Sequence, residues 1–205
     1  MSRILYRHPL SGHSHRVELF LSLLGLPVEL VNVDLLAREH KSPAFLERNL
    51  FGQVPVLDDD GVVLADSNAI LVYLAGRYAP GVWLPTDPVG AAGVQRWLSV
   101  AAGPLAFGPA VARLINVFKA PLNAADALAR ATTLLTVMEQ VLGGQAYLAG
   151  QTPTLADVAM YTYTAHAPEG NVDLTPYPQV RGWLARFEAL PGFVPMVRTP
   201  VGLAV

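Results

Sequence analysis

The first eighty residues alternate short apolar runs with segments whose apolar residues recur at helical spacing. Ile4-Leu5-Tyr6 is a run typical of a strand. The segment from Ser14 predicts a helix that ends at Gly25, because its apolar residues recur every three or four positions: Val17, Phe20, Leu21 and Leu24. The chain therefore opens with a strand-to-helix step.

The same alternation continues to about Tyr78. Val28–Val33 predicts a second strand and Pro43–Asn49 a short helix. Two further strands are joined through an Asp-Gly dipeptide typical of hairpin turns, and they cover Val54–Leu57 and Val62–Ala65. A third helix follows, with Ser67 as its predicted N-cap and apolar residues at Ile70, Leu71 and Leu74. The order βαβαββα predicts an α/β layer of four strands and three helices.

Residues 80–90 separate this half from a second half without strand patterns. They include three prolines and two glycines, which predicts a linker. The helices predicted after it are Ala91–Lys119, interrupted by two Gly-Pro pairs, and then Ala124–Leu142, Thr154–Ala165 and Gln179–Leu190. We expect an α/β domain over residues 1–80, a linker over 81–90 and an all-helical domain over 91–205.

Composition adds constraints on burial and on partners. Apolar residues make up 52% of the chain and charged residues 15%, a balance that excludes a disordered protein. The net charge is −2 and the only lysines are Lys41 and Lys119, so we expect no nucleic-acid binding. The first ten residues lack the apolar core of a signal peptide, and no stretch reaches about 18 uncharged apolar residues. These features predict a cytoplasmic protein without a membrane span.

The chain contains no cysteine. This excludes disulfide scaffolds, thiolate metal sites and cysteine nucleophiles, so any thiol chemistry must be brought by a ligand. The His13-Ser14-His15 run beside Ser11 is a weak pattern for a hydrolase or a zinc site. The chain has no Gly-x-Ser-x-Gly motif, and these histidines lack clustered carboxylates. We expect no metal.

Four separated stretches carry a family resemblance: Leu10–Val17; Glu39–Pro43 with Asn49–Leu57; Leu64–Ile70; and Gly150–Asp157, followed by Tyr177-Pro178 and Trp183. Together they resemble the cytosolic glutathione S-transferase family, and the first resembles bacterial members with a serine in the first loop. His13 departs from an asparagine common there, and Leu50 from a proline. The resemblance implies a thioredoxin-like first domain, an all-helical second domain, glutathione as co-substrate, a role in detoxification and a homodimer.

One end of glutathione is its γ-glutamyl group, which carries a carboxylate and an α-amino group. Ser67 heads a predicted helix, whose free N–H groups favour an anion such as that carboxylate. The resemblance implies that Asp66 pairs with the α-amino group and that Gln53 contacts the γ-glutamyl portion. Arg16 is a further possible cation.

The rest of glutathione is its cysteinyl and glycyl part. The resemblance implies a cis bond between Val54 and Pro55, so that the Val54 N–H and C=O pair with the cysteinyl backbone like an added strand. It also implies that His40 or Lys41 contacts the glycyl carboxylate.

Catalysis requires a thiolate near neutral pH. A free thiol has a pKa of about 8.5, and lowering it by roughly two units corresponds to about 2.7 kcal/mol. A hydrogen bond to a charged acceptor supplies roughly 1.5–3 kcal/mol and a helix N-terminus about 0.3–1 kcal/mol. Ser11, at the start of the first helix, is therefore the first candidate. Ser14 and Tyr6 are alternatives, and His13 could donate a second hydrogen bond or line the electrophile site.

The second substrate is expected to be a small hydrophobic electrophile bound between the first loop and the interrupted helix. The candidates are Phe107 and Val111, with Leu114 and Phe118 on the same helix and His166 as a polar possibility. The expected reaction is conjugation of glutathione to this electrophile. Reduction of hydroperoxides or disulfides by the same thiolate is an alternative, as is a non-catalytic ligand-binding or interaction member of the fold.

Overall fold

The computed structural model describes residues 2–203. These divide into two compact units. One unit comprises the chain up to Gly81 together with Pro191–Val197, and the other comprises Val82–Leu190 together with the segment from Arg198.

The first unit contains a four-stranded sheet in the order β2-β1-β3-β4. Its strands are β1 (Arg3–Arg7), β2 (Glu29–Asn32), β3 (Val56–Asp59) and β4 (Val62–Ala65). β1 pairs with β2 in parallel, and the other two pairs are antiparallel. β3 begins two residues later than the sequence predicted, because the register of its ladders starts at Val56.

Three helices complete the α/β layer, which confirms the predicted element order. They are α1 (Gly12–Leu23), α2 (Pro43–Leu46) and α3 (Ser67–Tyr78), and a single 3-10 turn, Glu39–Lys41, precedes α2. α2 ends three residues earlier than predicted. The prediction that Ser67 caps α3 is wrong, since the N-cap is Asp66, whose Oδ1 accepts the N–H groups of Asn68 and Ala69 at 2.9 and 3.0 Å.

A buried carboxylate fastens α3 to the sheet. Asp59 accepts hydrogen bonds from Arg3 Nε at 3.0 Å, from Tyr73 at 3.0 Å and from Tyr78 at 2.6 Å. These donors and the two nearby guanidinium groups outweigh the cost of burial and lower the pKa of Asp59.

A segment from the end of the chain also packs in the first unit. Gly192 O accepts a hydrogen bond from Ser22 Oγ at 2.7 Å, and His15 Nε2 lies 2.9 Å from Val194 O. Gly192 has φ 83°, and a Cβ there would lie 2.7 Å from Ser22 O, so a residue with a side chain would be strained.

The second unit is helical, as predicted. Its helices are α4 (Pro88–Val100), α5 (Val111–Phe118), α6 (Ala124–Leu142), α7 (Leu155–Ala165) and α8 (Pro178–Glu188), with a 3-10 turn at Ala167–Gly170. α4 starts three residues before the predicted helix, because Asp87 accepts the Gly90 N–H at 2.8 Å and Pro88 occupies the first helical position.

The predicted interruption between α4 and α5 is a π-helix. It covers Ala101–Ala110 and contains both Gly-Pro pairs, so prolines that would disrupt an α-helix lie in a wider turn instead. The continuous stretch Pro88–Phe118 is long and apolar enough to cross a membrane by length and composition, with a mean hydropathy of 1.5 over its most apolar window. In the helical unit it packs against α6, α7 and the 3-10 turn, as a core helix of that unit does.

The start of α7 confirms a predicted capping box. Thr154 accepts the Ala156 N–H, and Asp157 Oδ2 accepts the Thr154 N–H at 2.8 Å. Asp157 Oδ1 also accepts the Leu148 N–H and the Trp183 Nε1–H, both at 2.9 Å. This carboxylate therefore joins α7 to α8 and to the loop after α6.

Candidate functional site

Loops from three strands meet at one end of the sheet in the first unit. Val56 pairs with Tyr6 of β1 and with Ala65 of β4, and both of these pairs are antiparallel. The residues before Val56 therefore leave the sheet at the same end as those after Tyr6 and Ala65. This register brings the Ser11 loop, the Val54-Pro55 dipeptide and the Asp66-Ser67 dipeptide to the same end of the sheet.

Ser11 is the N-cap of α1. Its Oγ accepts the Ser14 N–H at 3.2 Å, and the Ser11 N–H donates to His8 O at 2.9 Å. The side chain is half-buried. One lone pair of the hydroxyl is thus used by the helix, while its proton remains available to an acceptor outside the helix.

The two alternatives to Ser11 have different environments. Ser14 is fully buried, and its Oγ accepts the His8 N–H at 3.3 Å. Tyr6 is half-buried against an apolar cluster that includes Phe45 and Val56, and the Arg48 guanidinium lies 4.7 Å from its ring centroid.

Ser67 is the first residue of α3, and its hydroxyl contacts a buried guanidinium. Arg16 Nη1 of α1 donates to Ser67 Oγ at 2.7 Å and to Asn68 Oδ1 at 3.0 Å. Arg16 is only 1% exposed, so the charge is held in a desolvated position at the start of α3. A helix N-terminus beside a guanidinium forms an anion-binding arrangement.

His13 lies in the same cluster. Its Nδ1 is 3.3 Å from Arg16 Nη1 and 3.5 Å from Ser67 Oγ. Burial and the neighbouring guanidinium lower the pKa of His13 to about 3, so the imidazole is neutral at physiological pH. Since Nδ1 faces the guanidinium donor, we assign the ring proton to Nε2.

His40 and Lys41 lie together on the 3-10 turn before α2. Lys41 Nζ donates to Phe51 O at 2.9 Å and to Gly52 O at 2.8 Å, so two of its three protons already support this loop. Burial and the adjacent Lys41 and Arg38 lower the pKa of His40. At neutral pH the charge in this pair therefore belongs to Lys41.

Gln53, Val54 and Pro55 connect that loop to β3. The Val54–Pro55 bond is cis, as the resemblance implied. Gln53 is exposed, and its backbone O accepts a hydrogen bond from Asn49 Nδ2 at 2.8 Å. Val54 precedes the first paired residue of β3, so its backbone lies beyond the ladders of the sheet.

The residues expected at the electrophile site do not share one environment. Phe107 is 59% exposed and Val111 is half-buried, with the partly exposed Leu114 and Phe118 at helical spacing from them. His166, by contrast, is buried at the end of α7, where its Nδ1 lies 2.9 Å from Glu169 Oε1. The cavity that His166 lines is formed by the chain around Glu169 and the segment from Arg198, without Phe107 or Val111.

Several partners in these clusters were not predictable as site residues. They are Asn68, Arg113 and Glu169, and Arg16 was predicted only as a possible cation without a partner. The spacing of His166 and Glu169 was the one local signal available. Arg16 and Ser67 are 51 residues apart, and only the packing of α1 on α3 brings them together.

Comparison with known proteins shows which family the chain belongs to. The family model "Glutathione S-transferase, N-terminal domain" matches residues 1–76, and "Glutathione S-transferase, C-terminal domain" matches residues 105–191. The chain is 36% identical over 212 residues to glutathione S-transferase F13 of Arabidopsis thaliana, covering 95% of this chain and 94% of that one. The chain belongs to the glutathione S-transferase family.

A solved structure agrees with this assignment, and a second relative carries the name of an isomerase. The crystal structure of a glutathione S-transferase from Pseudomonas fluorescens has a TM-score of 0.90, with 34% identity and coverage of 96% of this chain and 100% of that chain. A maleylpyruvate isomerase of Ralstonia is 33% identical over 187 residues, which cover 86% of this chain and 88% of that one. The protein is thus a glutathione S-transferase with glutathione as its co-substrate, as the resemblance implied. In the described residues, no group of three or more His, Cys, Asp or Glu side chains could hold a metal ion.

Proposed function

We propose that this glutathione S-transferase conjugates glutathione to a small hydrophobic electrophile, and that the Ser11 hydroxyl donates a hydrogen bond to the glutathione thiolate. The observation that carries this proposal is the hydroxyl's position at the N-cap of α1. Its oxygen accepts the Ser14 N–H, which polarises the O–H bond and leaves the proton as a donor. Ser14 is a weaker candidate because it is fully buried.

The free energy needed to lower the thiol pKa is close to what a hydroxyl at the N-terminus of α1 can supply. A hydrogen bond to a charged acceptor contributes roughly 1.5–3 kcal/mol and a helix N-terminus about 0.3–1 kcal/mol. Lowering a thiol pKa by two units needs about 2.7 kcal/mol. A hydroxyl at a helix N-terminus can therefore supply most or all of the shift without a basic residue.

The γ-glutamyl carboxylate is assigned to the start of α3. Ser67 would donate its hydroxyl proton to this carboxylate, since the Ser67 oxygen already accepts from Arg16. The Arg16 charge and the N-terminus of α3 would stabilise the anion. Asp66, which is exposed and uses Oδ1 for the cap, would accept from the α-amino group through its other oxygen.

The remainder of glutathione is assigned to the loop before β3. The Val54 backbone, next to Pro55, would pair with the cysteinyl backbone, and Gln53 would contact the γ-glutamyl portion. Lys41 would reach the glycyl carboxylate with its third N–H, and His40 would contact the same group as a neutral donor or acceptor. Phe107 and Val111 supply apolar side chains for the electrophile. We place the enzyme in the cytosol, in a detoxifying role.

The test compares three variants with the parent enzyme in a chloronitrobenzene conjugation assay. Ser11→Ala is expected to keep glutathione binding and to lose roughly 10–100-fold in kcat, because the thiolate fraction near neutral pH falls as the thiol pKa returns toward about 8.5. Ser11→Thr keeps a hydroxyl and should retain most of the activity. Ser14→Ala is the matched control and should lower stability rather than kcat. Unchanged turnover in Ser11→Ala would assign thiol activation to another group.

A further inference from the structure

A buried charge cluster in the helical unit has no role in the reaction described above. Glu169, in the 3-10 turn after α7, accepts hydrogen bonds from Arg113 Nε of α5 and from His166 Nδ1 at 2.9 Å. Glu169 Oε1, the oxygen that accepts from His166, also accepts the Thr199 N–H at 3.0 Å. Because one carboxylate oxygen binds both groups, the His166 ring and Thr199 are neighbours.

This cluster forms one wall of a cavity of about 500 Å³, a size typical of small-molecule sites. The rest of the lining is mostly apolar. The full set of lining residues is Ala165, His166, Pro168, Glu169 and the segment 198–203. The cavity lies entirely within the helical unit. Arg198 adds an exposed cation to its lining.

Two atoms in this wall can each make a further hydrogen bond. Thr199 Oγ1 is buried without a hydrogen-bond partner in the part of the chain that the structure describes. His166 donates its Nδ1 proton to Glu169, which leaves a lone pair on Nε2. Burial lowers the pKa of His166 despite the nearby Glu169, and Glu169 itself has a lowered pKa, so the pair is a neutral imidazole beside a carboxylate.

A ligand that satisfies both atoms needs a group that donates and accepts. A hydroxyl does both, whereas an ether or a halide cannot donate to Nε2. A buried donor or acceptor that stays without a partner weakens binding, so a molecule whose hydroxyl pairs with both atoms should bind more tightly than one that leaves either unpaired. The remaining apolar lining favours a ligand whose other atoms form a hydrocarbon chain or an aromatic ring.

We propose that this cavity is a binding site for small apolar molecules that carry a hydroxyl group, of which phenols are the simplest class. The hydroxyl donates to His166 Nε2 and accepts from the Thr199 hydroxyl. Arg113 and Glu169 are positioning residues that hold the imidazole in the tautomer with an accepting Nε2. This binding requires neither glutathione nor Ser11, so it is independent of the proposed reaction.

The test is an NMR titration of the full chain, without glutathione, with phenol and with anisole. Anisole has the same ring but a methyl ether in place of the hydroxyl. Phenol is neutral at pH 7, since its pKa is close to the value of about 10 for tyrosine. We expect phenol to bind at least fivefold more tightly than anisole and to shift the amide signals of Glu169 and Thr199.

Thr199→Val is the principal variant, because it removes the hydroxyl and keeps the backbone N–H that bonds Glu169. The preference for phenol over anisole should fall to less than twofold in this variant. Thr132→Val is the matched control, since Thr132 lies exposed on α6 with its hydroxyl bonded to Leu128 O, and it should keep the preference. His166→Phe, which keeps a ring without an accepting nitrogen, should also lose the preference.

Three results would overturn the proposal: equal affinities for phenol and anisole in the parent protein, an unchanged preference in Thr199→Val, or amide shifts confined to residues outside the cavity. The same titration on Ser11→Ala should give the parent affinities. Failure of the phenol site would therefore leave the turnover result for Ser11 intact, and failure of the Ser11 proposal would leave the titration intact.

Discussion

At the scale of single residues, two hydroxyl groups of the candidate site each accept one hydrogen bond from the protein and keep a proton to donate. Ser11 accepts the Ser14 N–H, and Ser67 accepts from the Arg16 guanidinium. Each hydroxyl is thereby oriented and polarised before a ligand arrives. In the proposed mechanism, a chain without cysteine activates in this way the thiol that its co-substrate brings.

His13 gives a prediction about glutathione affinity. Its neutral Nδ1 is the acceptor that faces both Arg16 and Ser67, so His13→Ala should let the Ser67 hydroxyl and the guanidinium reorient. A lost hydrogen bond of about 1 kcal/mol corresponds to a rise of roughly 3–10-fold in the KM for glutathione, with kcat little changed.

The control for that prediction is His13→Asn, which restores a side-chain acceptor and should recover most of the affinity. Steady-state kinetics with varied glutathione would check both variants. A fall in kcat with unchanged KM in His13→Ala would place His13 at the reacting thiol instead.

Residue-level roles were predictable from the sequence where the partners are local. The Thr154–Asp157 capping box spans three residues, and the structure confirms it. The expected cap at Ser67 was wrong because Asp66, with φ 67°, turns its own carboxylate onto the helix N-terminus and frees the serine for Arg16. The sequence could not identify that pairing, since it depends on how α1 packs on α3.

At the scale of elements, sequence patterns predicted the order of strands and helices and the bounds of β4 and α6, whereas the ends of several other elements differed by one to three residues. The shifts have local causes, such as the start of the β3 ladders at Val56 and the Asp87 cap of α4. The Gly-Pro pairs predicted an interruption after α4. They did not indicate that Ala101–Ala110 continues as a π-helix.

The π-helix supports a prediction about its two glycines. A Cβ on Gly108 would lie 2.9 Å from Ala131 N and 3.1 Å from Arg130 C, both backbone atoms of α6, whereas a Cβ on Gly103 would meet nothing within 4 Å. Gly108→Ala should therefore force the π-helix away from α6 and lower the free energy of unfolding by roughly 1–3 kcal/mol.

Gly103→Ala is the matched control in the same segment, and it should be neutral or slightly stabilising because alanine loses less backbone entropy on folding. Thermal and urea denaturation of the two variants would make the comparison. Equal loss of stability in both would mean that contact with α6 is not what requires glycine at position 108.

At the scale of the whole molecule, the predicted homodimer has a candidate surface in the first unit. Leu50 and Phe51 are 88% and 80% exposed, on a loop that Asn49 and Lys41 hold in place. An exposed aromatic residue on an ordered loop is a typical anchor of a protein interface.

Light scattering at micromolar concentration should give a mass twice the 21.9 kDa of one chain. Phe51→Ser should shift the protein toward the monomer. Leu36→Ser is the matched control, since Leu36 is 94% exposed on a different loop, and it should leave the dimer intact. A monomeric parent protein would contradict the prediction, and a dimer unaffected by Phe51→Ser would place the interface elsewhere.

The proposed mechanism requires that Ser11 stabilise the thiolate of bound glutathione. The most direct measurement is the pKa of that thiol, followed by the ultraviolet absorbance of the thiolate as pH is varied with glutathione bound. We predict a pKa of about 6.5 in the parent enzyme and a return toward about 8.5 in Ser11→Ala. A low pKa that persists in Ser11→Ala would contradict the claim.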